Sequence, residues 1–479
     1  MRLRELAGID SDSEVTGFAI DHRKVAPGSI FGAFRGAVFN GEDFIPQAVT
    51  RGAVAVVARS QAKVDQAVHL ADEQPRRLFA RLAAKFFAPY PEVAVAVTGT
   101  NGKTSTVEMT RQMWRMAGHR SASIGTLGVT TSDDQVKTGL TTPDIVTFLS
   151  NVAGLKRMGV THLAYEASSH GLDQHRAEGV PLAAAAFTNF SRDHLDYHPS
   201  MEAYFEAKMR LFDELLGPEG TAVVWTDDAM SGAVIERVRR RGSTLLTVGR
   251  EGEHFRLLEQ VPTPLGQTVA LLHGGRTHKL ALPLIGAYQA ANVLVAAGLV
   301  MATGTPFEAA FAAMQRVSPV RGRLERAVIS RGGAPVYVDY AHTGDALEAA
   351  IAALKPHVAS DSGGRLITVF GAGGDRDQGK RPEMGAVAAR LSDVVIVTDD
   401  NPRGEDPAKI RREVLAGAAG AKEIAGRREA IAEAIAMARS GDIVLVAGKG
   451  HEQGQIVGAG ADQRVLPFDD VVVARECAA

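Results

Sequence analysis

The feature that most constrains this chain is a strand-like run, Val93-Ala94-Val95-Ala96-Val97, that passes through Thr98-Gly99-Thr100-Asn101-Gly102-Lys103-Thr104 into a stretch of helical period, Thr104 to Ala117, stopped by Gly118. A glycine-rich turn between a strand and a helix belongs to a parallel sheet covered by helices. It also makes an anion site. Glycines let backbone N–H groups point at phosphate oxygens, the helix N-terminus adds positive potential, Lys103 reaches terminal phosphates, and the Thr104 hydroxyl suits Mg²⁺. These residues predict ATP held by Gly99, Thr100, Asn101, Gly102, Lys103 and Thr104, with Mg²⁺ as cofactor. The general pattern G-x-x-x-x-G-K-[ST] would place its first glycine at 97, where this chain has Val97; its glycine stands at 99. An ordinary glycine turn ahead of a helix is the plain alternative, and Gly102-Lys103-Thr104 following a strand speaks against it.

With 479 residues the chain exceeds one ordinary core, and three domains fit best. Residues 1–90 end on Phe87-Ala88-Pro89-Tyr90-Pro91, whose prolines mark a boundary; Val317-Ser318-Pro319 marks a second. Between them, strand-length runs (Val93 to Val97, His162 to Tyr165, Ala183 to Phe187, Ala222 to Trp225) alternate with helical stretches, ending in helices Ala287 to Thr303 and Phe307 to Gln315. After residue 319 the runs Val336 to Val338, Leu366 to Phe370, Val394 to Val397 and Ile443 to Val446 predict a second doubly wound unit, with the alanine-rich stretch 414–438 read as helix. The expected fold class is α/β: a small N-terminal α/β domain (1–90), a central parallel-sheet domain carrying the phosphate loop (91–318) and a C-terminal Rossmann-like domain (319–479).

Lys plus Arg number 53 against 55 Asp plus Glu, so nothing global attracts nucleic acid or an anionic membrane. Anionic small molecules must be held by local groups. Cys477 is the single cysteine, which excludes an intramolecular disulfide or a cysteine-ligated metal. The N-terminus lacks the apolar run of a signal peptide and no window approaches a membrane span, so a cytoplasmic protein without membrane insertion is expected; a monomer is expected too, although these features do not set oligomeric state.

Two further polar clusters follow strand-like runs in the central region. Glu166 ends His162 to Tyr165, placed either to hold Mg²⁺ or to stand as a surface carboxylate, and is followed by Ala167-Ser168-Ser169-His170-Gly171. Thr188-Asn189-Phe190-Ser191-Arg192-Asp193-His194-Leu195-Asp196-Tyr197-His198 follows the next run and also reads as a helix cap. Lys208, on a helical stretch, reads as a solvated lysine. In the third domain, Gly371-Ala372-Gly373-Gly374-Asp375-Arg376, Asp400-Asn401-Pro402-Arg403 and Gly448-Lys449-Gly450-His451-Glu452 each follow a strand, the ligand-facing end of an open α/β sheet. A dinucleotide G-x-G-x-x-G would need glycine at Arg376, so a dehydrogenase is disfavoured.

The loop Thr-Gly-Thr-Asn-Gly-Lys-Thr resembles that of the Mur ligase family, ATP-dependent amino-acid ligases of bacterial cell-wall synthesis, and of their relatives the folylpolyglutamate synthetases. The resemblance implies that His194 joins Glu166 and Thr104 at a Mg²⁺ site, that Lys208 is carbamylated by CO₂ into an anionic ligand, and that Asn292 contacts adenine. Lys103, His194 and Lys208 are then the catalytic set. Gly322-Arg323-Leu324-Glu325 and Asp339-Tyr340-Ala341-His342 resemble segments that reach ATP, through Arg323 and with Asp339 toward the ribose; Gly344 stands where the family usually has proline.

The remaining matches point to the branch that adds the third residue to the muramoyl peptide. Asp21-His22-Arg23 resembles its UDP-binding segment, with His22 in place of serine, and Asn101, Thr141, Thr142, Ser168, Gln174, His175 and Arg176 match positions for the nucleotide-sugar dipeptide. Asp400-Asn401-Pro402-Arg403 resembles the signature of enzymes adding meso-diaminopimelate rather than lysine. The chemistry agrees, because diaminopimelate carries a second carboxylate that a guanidinium can bind bidentately. Arg376, Gly448 and Glu452 match the family positions that complete that pocket, Glu452 suiting an ammonium. A folylpolyglutamate synthetase shares the phosphate loop without needing Arg403 or this first domain. A non-enzymatic nucleotide switch would show no amino-acid dependence, and the guanine-specific Asn-Lys-x-Asp string is absent.

Overall fold

The computed structural model describes residues 1–36, 39–136, 139–195, 197–263, 266–359 and 363–479. The chain divides into two compact units, one of Met1–Arg256 with Asn292–Ala313, the other of Leu257–Ala291 with Met314–Ala479.

In the first unit, strands Gly17–Ala19, Ser29–Gly32, Ala55–Ala58 and Val68–Ala71 form a parallel sheet in chain order. Neighbouring side chains point to opposite faces of a strand. Ile30 and Val57 accordingly pack with Phe79 of helix Pro75–Phe87, while Phe31 and Val56 pack with Ile45 and Ala48 of helix Ile45–Thr50.

A second sheet of this unit carries the phosphate loop. Within this sheet six consecutive strands run in the order Thr244–Gly249, Leu216–Trp225, Leu182–Phe187, Val93–Thr98, His162–Glu166, Ser121–Gly125, and these six are parallel. Apolar residues fill both faces of the central strand: Ala94, Val95, Ala96 and Val97 are all fully buried, as expected of a parallel sheet covered by helices. Register sets the site. Val97 pairs with Glu166 and Thr98 with Phe187, so three strands end level and release the Gly99 loop, Glu166 and the Thr188–Ser191 segment at one edge. Helix Lys103–Met116 follows directly and ends where Gly118, at φ 90°, reverses the chain.

In the second unit the order is Glu325–Ile329, Pro335–Asp339, Ile443–Ala447, Leu366–Phe370, Val394–Val397, Lys422–Glu423, the first strand antiparallel and the rest parallel. Helices Gly344–Leu354 and Lys380–Leu391 cover one face, Arg427–Met437 and Asp470–Ala478 the other. The α/β class expected from the strand pattern is the class observed.

One expectation fails. The stretch 414–438 is not a single helix: helix Pro407–Leu415 ends, a connection carries the short strand Lys422–Glu423, and helix Arg427–Met437 begins anew. Glycine overrides the helix propensity of the alanines. At Gly417 a Cβ would lie 1.9 Å from the Pro382 carbonyl oxygen, and Gly420 takes φ 83°. Gly344, which stands where the family usually has proline, opens helix Gly344–Leu354 under the Thr343 cap, and its missing Cβ makes room for the Glu383 carboxylate, which a Cβ would approach to 2.9 Å.

Candidate active site

The phosphate loop is held by backbone contacts that only glycine allows. Gly99 takes φ 145°, and a Cβ there would fall 2.0 Å from Thr188 Oγ1; Gly102 takes φ 85°, with Asn292 Oδ1 2.4 Å from its would-be Cβ. The loop is stitched to the Thr188–Ser191 segment. Thr100 N donates to the Asn189 carbonyl (2.9 Å), Asn101 N to Asn189 Oδ1 (2.8 Å), and Thr188 Oγ1 to the Asn101 carbonyl (2.6 Å). Thr104 lies in the first helical turn, largely buried, and Asn101 is exposed. Asn292 is 5% exposed and sits against the loop.

Lys103 Nζ donates to the carbonyls of Gly99 (2.8 Å) and Thr100 (2.7 Å). Lys208, read from sequence as a solvated lysine, is 1% exposed, and its Nζ donates to the same Gly99 carbonyl at 2.8 Å while lying 4.3 Å from the Tyr204 ring centroid. The correction has a packing cause. Helix Met201–Arg210 buries Tyr204, Phe205, Lys208 and Met209 on its inner face. Desolvation drives the Lys208 pKa well below the ordinary lysine value, with Lys103 adding repulsion and Asp193 opposing.

Glu166 is 1% exposed, so the surface-carboxylate alternative falls. Its Oε1 accepts from Thr126 N (2.7 Å), and its backbone carbonyl accepts from Thr142 Oγ1 (2.8 Å), which Ser168 Oγ contacts at 3.0 Å; Thr141 Oγ1 lies 3.0 Å from Thr126 Oγ1. Arg176 donates to Gln174 Oε1 through Nε (3.1 Å) and NH2 (2.6 Å) and to the Thr142 carbonyl (3.2 Å). Burial lowers the Arg176 pKa, Tyr197 and Asp144 opposing. His175 joins instead a network with Glu178 and Arg210. His194, at φ 52°, has its Nε2 3.5 Å from Asp193 Oδ2 and its ring 4.8 Å from that of His170. Asp196 lies outside the described residues. In the short helical turns that join strands of the N-terminal sheet, His22 stacks on Phe44 at 4.5 Å, and exposed Arg23 pairs with Asp21 at 2.8 Å.

In the second unit the polar strings lie side by side, because the strands that precede them are neighbours. Arg403 takes φ 50°; its N–H donates to the Ile456 carbonyl (3.0 Å) and its guanidinium to the Gly374 carbonyl (2.9 Å). A Cβ on Gly374 would meet the Pro402 carbonyl oxygen at 1.9 Å, so the two turns touch. Asn401 is buried and donates to Glu452 Oε2 (2.8 Å), Asp400 is nearly buried, and Arg376 is exposed. Gly448 N donates to the Asp339 carbonyl at 3.1 Å. Both Asp339 carboxylate oxygens accept backbone N–H groups, from Leu324 (2.7 Å) and Ala341 (2.9 Å), while the Arg323 guanidinium stacks 4.8 Å over Tyr340. Burial raises the Asp339 pKa against Arg323 and those amides.

Comparison with known proteins adds to this geometry. The description "Mur ligase family, catalytic domain" matches residues 14–87, "Mur ligase middle domain" residues 97–300 and "Mur ligase, glutamate ligase domain" residues 322–450. A curated relative from Zymomonas mobilis subsp. mobilis, named UDP-N-acetylmuramoyl-L-alanyl-D-glutamate--2,6-diaminopimelate ligase, is 58% identical over 467 residues, covering 98% of this chain and 95% of its own. The chain belongs to the Mur ligase family. A like-named relative from Caulobacter vibrioides is 49% identical over 96% of this chain and 95% of its own. A solved structure of a UDP-N-acetylmuramoyl-L-alanyl-D-glutamate--2,6-diaminopimelate ligase superposes with a TM-score of 0.74 at 31% identity, covering 100% of this chain and 98% of its own.

The Mur ligase resemblance gave no role to three groups that the structure places beside candidate residues, Thr126 and Tyr197 in the first unit and Lys449 in the second. Thr126 holds Glu166, Tyr197 donates to Asp173 (2.6 Å) and accepts from Gln174 (2.9 Å), and fully buried Lys449 donates to Asn401 and Glu452. Tyr197 and Lys449 each left a signal, inside polar strings that follow strand-like runs, and Thr126 left none. Among the described residues no group of three or more His, Cys, Asp or Glu side chains is gathered to hold a metal. The Thr104 hydroxyl and the buried Glu166 carboxylate are hard oxygen donors of the kind Mg²⁺ takes.

Proposed function

We propose that this chain is an ATP-dependent, ADP-forming ligase that joins meso-diaminopimelate to UDP-N-acetylmuramoyl-L-alanyl-D-glutamate in peptidoglycan precursor synthesis. The observation that carries the reading is identity of 58% and 49% along 98% and 96% of the chain to relatives named for that substrate pair. The loop geometry supports its ATP half, and the Asp400–Arg403 turn its amino-acid half.

In this reading a carboxylate oxygen of the dipeptide's glutamate attacks the γ-phosphorus of ATP, ADP leaves, and an acyl phosphate forms. The amine of diaminopimelate then attacks the acyl carbon; the tetrahedral adduct expels phosphate, and the nitrogen loses its proton to solvent. Gly99, Thr100, Asn101, Gly102, Lys103 and Thr104 bind the phosphates, with Asn292, Arg323 and Asp339 on the nucleoside. Lys103 neutralises charge on the transferred group. Thr104, Glu166, His194 and carbamylated Lys208 would hold Mg²⁺, which when bound offsets phosphate charge. The neutral amine favoured by the burial of Lys208 is the form that adds to CO₂.

His22, Arg23, Asn101, Thr141, Thr142, Ser168, Gln174 and Arg176 bind the UDP-sugar dipeptide. Arg376, Asp400, Asn401, Pro402, Arg403, Gly448 and Glu452 bind diaminopimelate. The division of labour follows domains 1–90, 91–318 and 319–479, into which the three family matches fall. A cytoplasmic monomer acting in cell-wall biogenesis, and so in cell shape and division, completes the reading. Mass spectrometry of the UDP-sugar product tests it: one diaminopimelate residue is gained per ATP converted to ADP and phosphate, and ATP hydrolysis with no mass gain would refute it.

A further inference from the structure

Lys449 follows strand Ile443–Ala447 through Gly448, whose φ of 117° and missing Cβ, which would otherwise lie 2.5 Å from Asp400 Oδ2, bring the backbone close to the Asp400–Arg403 turn. Its side chain is 0% exposed, and Nζ donates to Asn401 Oδ1 at 2.9 Å and Glu452 Oε2 at 3.1 Å. An ammonium taken out of water is costly unless a counter-charge and hydrogen bonds replace the solvent. One carboxylate and one amide carbonyl do so here. Buried Arg427 cannot stand in, because it is paired to Asp470 at 2.6 Å and lies 3.9 Å from Asp400.

The Asn401 amide is thereby locked in one orientation. Oδ1 receives Lys449 Nζ and the Ile456 N–H (2.9 Å), and Nδ2 donates to Glu452 Oε2. Reversed, the amide would set its NH₂ against an ammonium and a backbone N–H, and its carbonyl against a carboxylate. Glu452 Oε2 takes both donors, so an arriving cation is left to Oε1. Removing the ammonium would release the Glu452 rotamer and the Asn401 amide together.

We propose that Lys449 is a positioning residue for the amino-acid substrate: it fixes Glu452 as the acceptor of a substrate ammonium and sets the Asn401 amide beside it, without itself touching the substrate. The inference rests on the reading of Asn401 and Glu452 as diaminopimelate contacts.

Steady-state kinetics of the full chain, each substrate varied in turn, test it with Lys449→Met, Lys449→Arg, Glu452→Gln and the Lys449→Met/Glu452→Gln double variant. Lys449→Met is expected to raise KM for diaminopimelate about tenfold or more, the scale of a lost charged hydrogen bond. Its KM for ATP stays at the wild-type value, and Lys449→Arg, which keeps the charge, recovers part of the loss. The double variant has no greater diaminopimelate KM than Glu452→Gln alone, because the two side chains act as one unit. An unchanged diaminopimelate KM in Lys449→Met, or an equal rise in KM for ATP, overturns the inference. Should Lys449→Met fail to fold, the double variant decides: a diaminopimelate KM matching Glu452→Gln supports the inference, and a further rise overturns it. Wild-type chain that turns over no diaminopimelate refutes the substrate reading instead.

Discussion

Two lysines meet on one carbonyl oxygen: Lys103 and Lys208 each donate to Gly99 O at 2.8 Å. Like charges so close, one of them stripped of water, favour loss of a proton from the more buried group, and Lys208 is that group. Under ¹³CO₂ the wild-type chain should show a carbamate carbon resonance that disappears in Lys208→Arg; a spectrum identical for both would remove the carbamate. Arg403 makes the second residue-scale prediction. Arg403→Ala should raise KM for diaminopimelate by about ten- to a hundredfold, the value of a charge-assisted pair, and narrow the preference over L-lysine. Unchanged preference takes Arg403 out of the pocket. Residue types at strand ends were readable in sequence because chemistry selects them there. The burial of Lys208 was harder to see, since its clue lies in position: it stands four residues after Tyr204 and beside Met209, on the apolar stripe of its helix.

At the scale of elements, the strand-loop-helix unit was legible because glycine, lysine and apolar runs each mark a different part of it. Its tolerance is narrow. Gly99→Ala puts a methyl 2.0 Å from Thr188 Oγ1 at a backbone angle that L-residues avoid, so ATP-dependent turnover should be lost while far-ultraviolet circular dichroism stays native. Full activity in Gly99→Ala would show that the loop relaxes. The strand His162–Glu166 carries a separate prediction at its other end. His162 is buried against Trp114 (5.0 Å) and stacked on His119 (3.9 Å), and burial, then His119, lowers its pKa from 6.5 to about 4, Glu92 opposing. The unfolded chain therefore binds the proton first. This contribution to stability is complete above pH 6.5 and is lost as pH falls toward about 4. Urea midpoints measured between those values should fall more steeply for the wild type than for His162→Gln; parallel slopes would contradict it. The stretch 414–438 shows why element boundaries escape a sequence reading: alanine spacing speaks for helix, whereas the close approach that requires glycine at 417, just past the helix end at Leu415, is to Pro382, more than thirty residues earlier.

For the whole molecule, alternating strand and helix patterns were enough to fix the α/β class, since apolar runs buried on both faces leave few other architectures. The register that levels Thr98, Glu166 and Phe187 was beyond sequence, because pairing partners are set by tertiary packing. No helix among the described residues is long and apolar enough to cross a membrane. The central claim, a ligase that couples ATP to joining one particular amino acid, is tested most directly by phosphate release with ATP and the UDP-sugar dipeptide, comparing meso-diaminopimelate, L-lysine and no amino acid. Release that depends on diaminopimelate, is far slower with lysine and stays at background without an amino acid is the predicted result. Release at the same rate in all three would contradict the account.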